Sequence, residues 1–273
     1  MGLMTGTGPF GPRVSGAFNF APDPPQGHAI YLEPTARRVR GMLGGETVVD
    51  SRDVLLLHER GHLPVWYFLR ADVRLDLLAP TAHASHCPYK GDASYWTLAA
   101  GGAVAESRAW AYPEPLAAVS AITDRIAFDW NAMERWLEED EEVFVHPRDP
   151  YHRVDAMRSS RYVRISLEGT VLAESARPLA LFETGLPSRW YLPKADVAAP
   201  LAPTARTSRC PYKGIASYWT VGGHADVAWS YESPIAEIPS IAGLVCFFDE
   251  RVDVDLEGER QRRPQTQWSE PPG

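Results

Sequence analysis

The stretch Cys87-Pro88-Tyr89-Lys90-Gly91 occurs a second time in the chain, as Cys210-Pro211-Tyr212-Lys213-Gly214. The surrounding segments, residues 78–97 and 201–220, differ at only four positions. These positions are His83/Arg206, Ala84/Thr207, His86/Arg209 and Asp92/Ile215. Such self-similarity indicates an internal duplication. We therefore expect one domain written twice, with any functional site close to the repeated block.

The two halves also align before the block, at a constant offset of 124 positions. Val39-Arg40 corresponds to Val163-Arg164, and Trp66-Tyr67 corresponds to Trp190-Tyr191. From this alignment and the Pro/Gly-rich stretch 21–27 we predict five segments. They are a poorly ordered leader (1–29), a first repeat domain (30–129), a helix and connector (130–154), a second repeat domain (155–258) and a polar tail (259–273).

The local patterns favour short strands. Residues 38–43 and 46–50 alternate between apolar and polar around Gly44-Gly45, which is typical of a hairpin. Little room is left for crossover helices, so each repeat is predicted to be an antiparallel sheet assembly. Only Trp130, Met133, Trp136 and Leu137 recur at helical spacing, which predicts a short helix connecting the domains. The predicted fold class is mainly β.

Composition excludes several classes of partner. The chain has 273 residues, a formal net charge of −8 and 45% hydrophobic residues. Without clustered positive charge, neither nucleic acid nor an anionic membrane is an expected partner. No apolar run approaches the roughly 20 residues that cross a bilayer. The three cysteines have no paired spacing, so we expect a cytoplasmic protein without a disulfide framework.

Three features of the sequence resemble a known family. They are the Cys-Pro-Tyr-Lys-Gly block followed by Ser-Tyr-Trp, the segments 59–67 and 183–191 that run from Glu-x-Gly to Trp-Tyr, and the Trp-x-Tyr pairs at 110–112 and 229–231. Together they resemble the domain-of-unknown-function family 427. The resemblance covers residues 30–258 and implies two tandem antiparallel β-tent (Mss4-like) domains. Some catalogues give the family a nucleotidyltransferase-like label, but the block has neither paired carboxylates for magnesium nor a glycine-rich phosphate cradle.

The repeated block supplies candidate site residues. Its Pro and Gly predict a tight turn that presents Cys, Tyr and Lys on one side. Lys90 and Lys213 are candidates to hold an anionic or carbonyl group, or to act as a base or nucleophile if desolvated. Cys87 and Cys210 are candidate nucleophiles if a nearby lysine lowers their pKa. The alternative is structural, with buried cysteines and a lysine bonded to a buried carbonyl.

Aromatic residues are expected to complete two ligand pockets, or one composite cleft between the domains. Because successive strand residues face opposite sides, we place Tyr67 and Tyr191 toward a cavity and Trp66 and Trp190 in the core. The remaining predicted lining residues are Tyr95, Trp110 and Tyr112 in the first repeat, and Tyr218, Trp229 and Tyr231 in the second.

Charged residues repeated in both halves have two interpretations. Arg40, Glu59, Arg164 and Glu183 are expected either to form ion pairs at a sheet edge or to orient a ligand. In the connector, His146, Asp149 and His152 have metal-binding chemistry. Docking between domains explains them more simply, so neither a metal nor a cofactor is predicted.

Three functional hypotheses follow. The first is a module that binds a small polar or anionic molecule through the block lysines and the neighbouring Tyr and Trp residues. The second is an enzyme that uses Cys or Lys as nucleophile or base. The third is a structural or protein-interaction domain in which the block only stabilises the fold. We expect a monomer whose two domains pair internally.

Overall fold

The structure, a computed structural model, describes residues 2–13, 16 and 27–269. The chain forms two compact units that divide between Asp149 and Pro150. No helix in these described ranges is long and apolar enough to span a bilayer. The predicted mainly β, antiparallel, tandem architecture is confirmed.

The first unit contains eleven strands in the described part of the chain. They are β1 (Ile30–Thr35), β2 (Val39–Leu43), β3 (Glu46–Ser51), β4 (Val54–Glu59), β5 (Val65–Leu69), β6 (Leu78–Cys87), β7 (Gly91–Ala100), β8 (Ala103–Ala111), β9 (Arg125–Phe128), β10 (Arg135–Glu138) and β11 (Glu141–Val143). Short 3₁₀ helices occupy Arg70–Asp72, Leu75–Leu77, Ala117–Ile122 and Trp130–Ala132.

The second unit repeats this arrangement over the residues described. Its strands are β12 (Val154–Arg158), β13 (Val163–Leu167), β14 (Thr170–Ser175), β15 (Leu179–Glu183), β16 (Arg189–Leu192), β17 (Leu201–Cys210), β18 (Gly214–Val221), β19 (His224–Ser230), β20 (Val245–Phe247), β21 (Asp253–Leu256) and β22 (Glu259–Arg260). Its 3₁₀ helices are Lys194–Asp196 and Pro239–Ile241.

Each unit has one seven-stranded and one four-stranded antiparallel sheet. In the first unit the strand orders are β1-β4-β5-β9-β8-β7-β6 and β11-β10-β2-β3. In the second unit they are β12-β15-β16-β20-β19-β18-β17 and β14-β13-β21-β22. Matching the strands by sequence makes the two topologies identical. The duplication therefore extends to every strand of the fold.

Two apolar clusters pack in each unit. In the first unit, one cluster contains residues from both sheets, including Trp66 of β5 and Trp136 of β10. The second cluster includes Tyr67, Tyr112 and Ile122, from strands of the seven-stranded sheet and the 3₁₀ helix Ala117–Ile122. Neighbouring residues of β5 thus contribute to different cores, as strand alternation requires.

The predicted helix over 130–137 is wrong. Trp130–Ala132 form a single 3₁₀ turn, and Arg135–Glu138 form β10, which pairs with β2. The tryptophans follow a helical spacing because a turn and a strand both direct them toward Trp66, which lies 5.8 Å from Trp130 and 5.4 Å from Trp136 between ring centroids. These residues belong to the first unit rather than to a separate connector.

The predicted terminal segments contain ordered contacts where they are described. Leu3 and Met4 are buried, and the Leu3 amide donates to Asp149 Oδ2 at 3.0 Å. Of the Pro-rich stretch 21–27, all but Gly27 lies outside the described residues. In the predicted tail, β22 pairs with β21, and Thr266 donates a hydrogen bond to Glu250 at 2.6 Å.

The two units differ at a pair of facing core residues in their four-stranded sheets. Trp136 pairs with Gly41, whereas Val254 pairs with Ile165 at the equivalent register. A Cβ on Gly41 would lie 2.7 Å from Trp136 Cζ3. The first unit therefore combines glycine with tryptophan, and the second combines isoleucine with valine.

We predict that Gly41→Ala destabilises the first unit by about 1–3 kcal/mol, because the added methyl group overpacks a rigid buried ring. Chemical denaturation of the intact chain, with hydrogen exchange of β2 to locate the effect, measures this loss. In a Trp136→Val background the penalty should largely disappear. An equal penalty in both backgrounds would show that the indole ring is not its cause.

Candidate functional site

The repeated block forms the turn between β6 and β7. The Lys90 amide donates to the Cys87 carbonyl at 3.2 Å, and the Lys90 carbonyl accepts from the Leu116 amide at 3.1 Å. Gly91 has φ +102°, and a Cβ there would meet the Glu114 carbonyl at 3.2 Å. This left-handed conformation and close approach explain the glycine that ends the block. The turn at Lys213 and Gly214 repeats the geometry, with φ +100° at the glycine.

The block lysine forms a buried ion pair in each unit. Lys90 Nζ contacts Glu59 Oε2, and Lys213 Nζ contacts Glu183 Oε2. Lys90 is 7% exposed and Lys213 is 8% exposed. The structural alternative predicted a buried carbonyl as the partner of the lysine. The partner in the structure is a carboxylate.

A histidine completes this network on the other carboxylate oxygen. His28 Nε2 lies 2.7 Å from Glu59 Oε1, and His152 Nε2 lies 3.0 Å from Glu183 Oε1. The block tyrosine then stacks on the histidine. Tyr89 is 3.9 Å from His28, and the second unit has the same pair, Tyr212 and His152, at 3.8 Å between ring centroids. We call each set of block residues with its Glu and His the Lys–Glu–His cluster.

The ion pair joins distant parts of the seven-stranded sheet. Glu59 ends β4, which is next to one edge strand, whereas Lys90 lies in the turn that joins the last two strands at the other edge. The sheet must therefore curl far enough to bring the two residues into contact. Of the two predicted roles for Glu59 and Glu183, the structure contains the ion pair that holds the sheet together.

The electrostatics of the cluster keep both partners charged. Burial acts to raise the pKa of Glu183, but the charge of Lys213 and the hydrogen bonds from His152 and Lys213 outweigh it and lower this pKa to about 2. Glu59 behaves in the same way, and its pKa lies below the ordinary value. Burial acts to lower the pKa of Lys213, yet the charges of Cys210 and Glu183 give a net increase. A neutral amine at Lys213 is therefore disfavoured.

The block cysteines border the cluster. Cys87 and Cys210 are half-buried, whereas Cys246 is fully buried. Burial raises the pKa of the Cys246 thiol well above its usual value. Cys210 lies close enough to Lys213 for its charge to act on the ammonium group. Of these three thiols, the two in the block have the environment of a candidate nucleophile.

Tyr67 and Tyr191 do not face an open cavity. They are 2% and 1% exposed, because the concave side of the curled sheet is filled by its own aromatic and apolar residues. Each hydroxyl has a polar partner, accepting from Trp110 Nε1 at 3.3 Å or from Trp229 Nε1 at 3.2 Å. Burial raises the pKa of both phenols.

The other predicted aromatic residues divide by exposure. Trp110 and Tyr112 contribute to one apolar cluster, as their spacing predicts, and so do Trp229 and Tyr231. Both tyrosines of these pairs are buried, while both tryptophans are half-buried. Of these pairs, the tryptophans therefore offer the more accessible surface to a ligand.

Tyr95 and Tyr218 lie where the two repeats diverge. Each hydroxyl is hydrogen-bonded at 2.8 Å to a serine of the adjacent strand, Ser85 or Ser208. His83 packs against Tyr95 with 4.3 Å between ring centroids. In the second unit, the Arg206 guanidinium lies 4.3 Å from the Tyr218 ring centroid. The two repeats therefore differ in the side chain that contacts this tyrosine ring.

Arg40 and Arg164 lie away from the cluster. They are on the four-stranded sheets, where Arg40 pairs with Asp140 and Arg164 lies 3.3 Å from Glu174. The structure therefore gives these arginines the ion-pair role and does not bring them together with Glu59 and Glu183.

The histidines of the cluster were missed as site residues. His28 falls in the predicted leader, and His152 was considered only as a metal ligand in the connector. The offset of 124, extended from Val39 back to His28, matches His28 with His152. Among the described residues, no group of three or more His, Cys, Asp or Glu side chains has the arrangement of a metal site. His146 Nδ1 instead contacts the Pro147 carbonyl oxygen at 2.7 Å.

These observations define a duplicated antiparallel β-domain protein with one Lys–Glu–His cluster in each copy. A family model described as Domain of unknown function (DUF427) matches residues 31–139 and again residues 155–258. The chain therefore belongs to this family, and the resemblance predicted from its motifs is confirmed. The first match extends through β10, in agreement with the first unit of the structure. A comparison with curated proteins found no match.

We predict that Glu183→Gln destabilises the second unit by about 3–5 kcal/mol at neutral pH, because it leaves the Lys213 charge buried without its partner. Denaturation of the intact chain, with hydrogen exchange of β15, measures this loss. Glu174→Gln, which removes the exposed partner of Arg164, is the matched control and should change stability by less than about 1 kcal/mol.

The same carboxylate makes stability depend on pH. Since the pKa of Glu183 is lowered from 4.5 to about 2, its contribution is complete above pH 4.5 and is lost as the pH falls toward 2. The shift corresponds to about 3 kcal/mol. We expect the second unit to lose this stability on acidification, and the loss should be absent in Glu183→Gln. An unchanged acid profile in the variant would contradict the assignment.

Proposed function

We propose that each repeat binds a small polar or anionic molecule at its Lys–Glu–His cluster. The observation that carries the proposal is the presence of the same buried Lys, Glu and His, with the same stacked Tyr, in both units. Removing charges from water is costly, and an apolar pair of similar volume often stabilises a fold equally well. Two preserved copies of a costly network favour a role beyond packing.

The lysine retains hydrogen-bonding capacity. An ammonium group has three N–H donors, and the glutamate accepts one of them in each unit. A ligand carbonyl, carboxylate or phosphate oxygen that reaches the turn could accept another. The charges of Cys210 and Glu183 raise the pKa of Lys213. Its ammonium group would therefore remain able to donate to a ligand across the physiological pH range.

The borders of the cluster suggest where the rest of the ligand would lie. Cys87, Tyr95 and Trp110 are half-buried in the first unit. The Trp110 indole N–H donates a hydrogen bond to the buried Tyr67 hydroxyl, which fixes the ring. An indole fixed in this way offers a planar apolar surface to a ring or a sugar face. His83 and Arg206 then give the two repeats different preferences, since Arg206 adds a permanent charge beside its tyrosine.

We expect a carboxylate, phosphate or keto compound to raise the melting temperature of the intact protein in a thermal-shift screen, because binding to the folded state stabilises it. The double variant Lys213→Met/Glu183→Gln removes both charges together and thereby avoids an unpaired buried charge. It should abolish the shift that arises from the second repeat, and Lys90→Met/Glu59→Gln is its counterpart in the first.

The screen also has contradicting outcomes. Shifts that persist unchanged in both double variants would place binding elsewhere. A complete lack of hits among these compound classes, with double variants clearly less stable than the natural chain, would also contradict a binding role and favour a purely structural one.

A thiol-dependent enzyme is the second candidate, because a half-buried cysteine lies beside a charged lysine in each cluster. A nearby cation stabilises a thiolate, which is the nucleophilic form. A lysine nucleophile is less well supported, since the pKa of Lys213 is raised.

We predict that iodoacetamide modifies the half-buried Cys87 and Cys210 in the native protein but leaves Cys246 intact, because Cys246 is fully buried and burial raises its pKa. Peptide mass spectrometry after labelling at several pH values provides the measurement. The block thiols support the enzyme hypothesis if they react at a pH well below that of a free cysteine model compound. Reaction at the ordinary thiol pH would argue against it.

A further inference from the structure

The second unit contains a cavity that is separate from its Lys–Glu–His cluster. Its volume is about 280 Å³. The lining includes Trp190, Val254 and Asp249 together with Arg161, Arg262 and Arg263. A cavity of roughly 150 Å³ is enough to admit benzene. This space is thus of a size that accepts two fused rings.

The cavity arises from a difference between the repeats. Trp190 corresponds to Trp66, whose ring packs against Trp130 and Trp136 in the first unit. The strand registers match Trp136 with Val254. Two indole rings that fill the first unit are therefore absent from the second.

The counterpart of Trp130 in the second unit is identified from a neighbouring strand pair. Phe128 pairs with Ala109 in the first unit, and Phe247 pairs with Ala228 in the second. Two residues beyond each phenylalanine lie Trp130 and Asp249. The second unit thus has a carboxyl group and open space where the first has an indole ring.

The rim of the cavity is cationic. Arg161 and Arg262 are exposed, and the Arg161 guanidinium lies 5.8 Å from the Trp190 ring centroid. Arg263 is partly neutralised by Asp253 at 2.9 Å. The one carboxyl group in the lining, Asp249, lies 3.6 Å from Arg189, which also pairs with Glu250. Burial raises the pKa of Asp249 to about 7, so this group repels an anion less than an ordinary aspartate would.

We propose that this cavity binds a small aromatic anion. Its ring would occupy the space bordered by Trp190 and Val254, and its carboxylate would face Arg161 and Arg262. Guanidinium groups suit this role because their planar N–H donors match the geometry of a carboxylate. Among the described residues of the first repeat, Trp130 and Trp136 occupy the equivalent region. The proposal is independent of binding at the Lys–Glu–His cluster.

Titration of the intact protein with naphthoate, followed by tryptophan fluorescence and calorimetry, tests the proposal. We expect saturable binding with one site per chain. Naphthamide, which has the same rings without the charge, should bind at least about tenfold more weakly. Arg161→Ala/Arg262→Ala should weaken naphthoate binding by a similar factor, and both positions are exposed, so the fold should be retained.

A second variant fills the cavity with the side chains of the first repeat. Ile165→Gly/Val254→Trp recreates the glycine–tryptophan pair of Gly41 and Trp136 and should abolish naphthoate binding. Arg177→Ala is the matched control, because Arg177 is an exposed cation of the same unit that pairs with Asp196 at 3.0 Å, outside the cavity lining. Its affinity should equal that of the natural chain.

Three results would overturn the proposal. They are the absence of saturable naphthoate binding, equal binding of naphthamide, and an affinity that is unchanged by the two arginine substitutions. Loss of binding in Lys213→Met/Glu183→Gln with retention in Arg161→Ala/Arg262→Ala would place the ligand at the Lys–Glu–His cluster instead. If the cavity-filling variant fails to fold, the arginine pair alone decides the question.

Discussion

The curled sheet of each repeat depends on one ion pair, between a glutamate near one edge and a lysine in the turn at the other. Strand pairing alone leaves the curvature of such a sheet adjustable. A buried contact between its distant ends restricts that freedom, and the turn conformation at Gly91 or Gly214 fixes where the ammonium group lies. Both copies meet this geometric requirement in the same way, with the lysine and the glycine of the block.

Two of the differences between the repeats lie directly beside this shared framework. Beside the cluster, His83 is replaced by Arg206 at the edge of an otherwise matching aromatic set. Between the sheets, the tryptophans of the first repeat give way to Asp249 and Val254 in the second. The first change alters charge without altering the fold, and the second exchanges packed volume for an accessible space. The second repeat can lose this packed volume because its strand pairing is unchanged, and the first repeat retains the tryptophans.

Much of this fold could be predicted from the sequence, because strand alternation and the repeat offset are local or directly countable properties. The helix predicted from Trp130 to Leu137 failed because a 3₁₀ turn followed by a strand can place tryptophans at helical spacing. The partner of Lys90 could not be chosen from the sequence, since Glu59 meets it only when the sheet curls across the three strands β5, β9 and β8 that separate β4 from β7. His28 lies in the segment that its Pro/Gly-rich composition assigns to a leader, before the point at which the two halves visibly align.

The geometry of the cluster also determines which chemistry it can support. The charges of Cys210 and Glu183 raise the pKa of Lys213, and a charged amine can donate hydrogen bonds but cannot act as a nucleophile. Cys210 lies beside this ammonium group, and a neighbouring cation is the setting in which catalytic thiols occur. Under the proposed function, the same carboxylate would serve both the fold and ligand recognition, and any covalent chemistry at this cluster would begin at the cysteine rather than at the lysine.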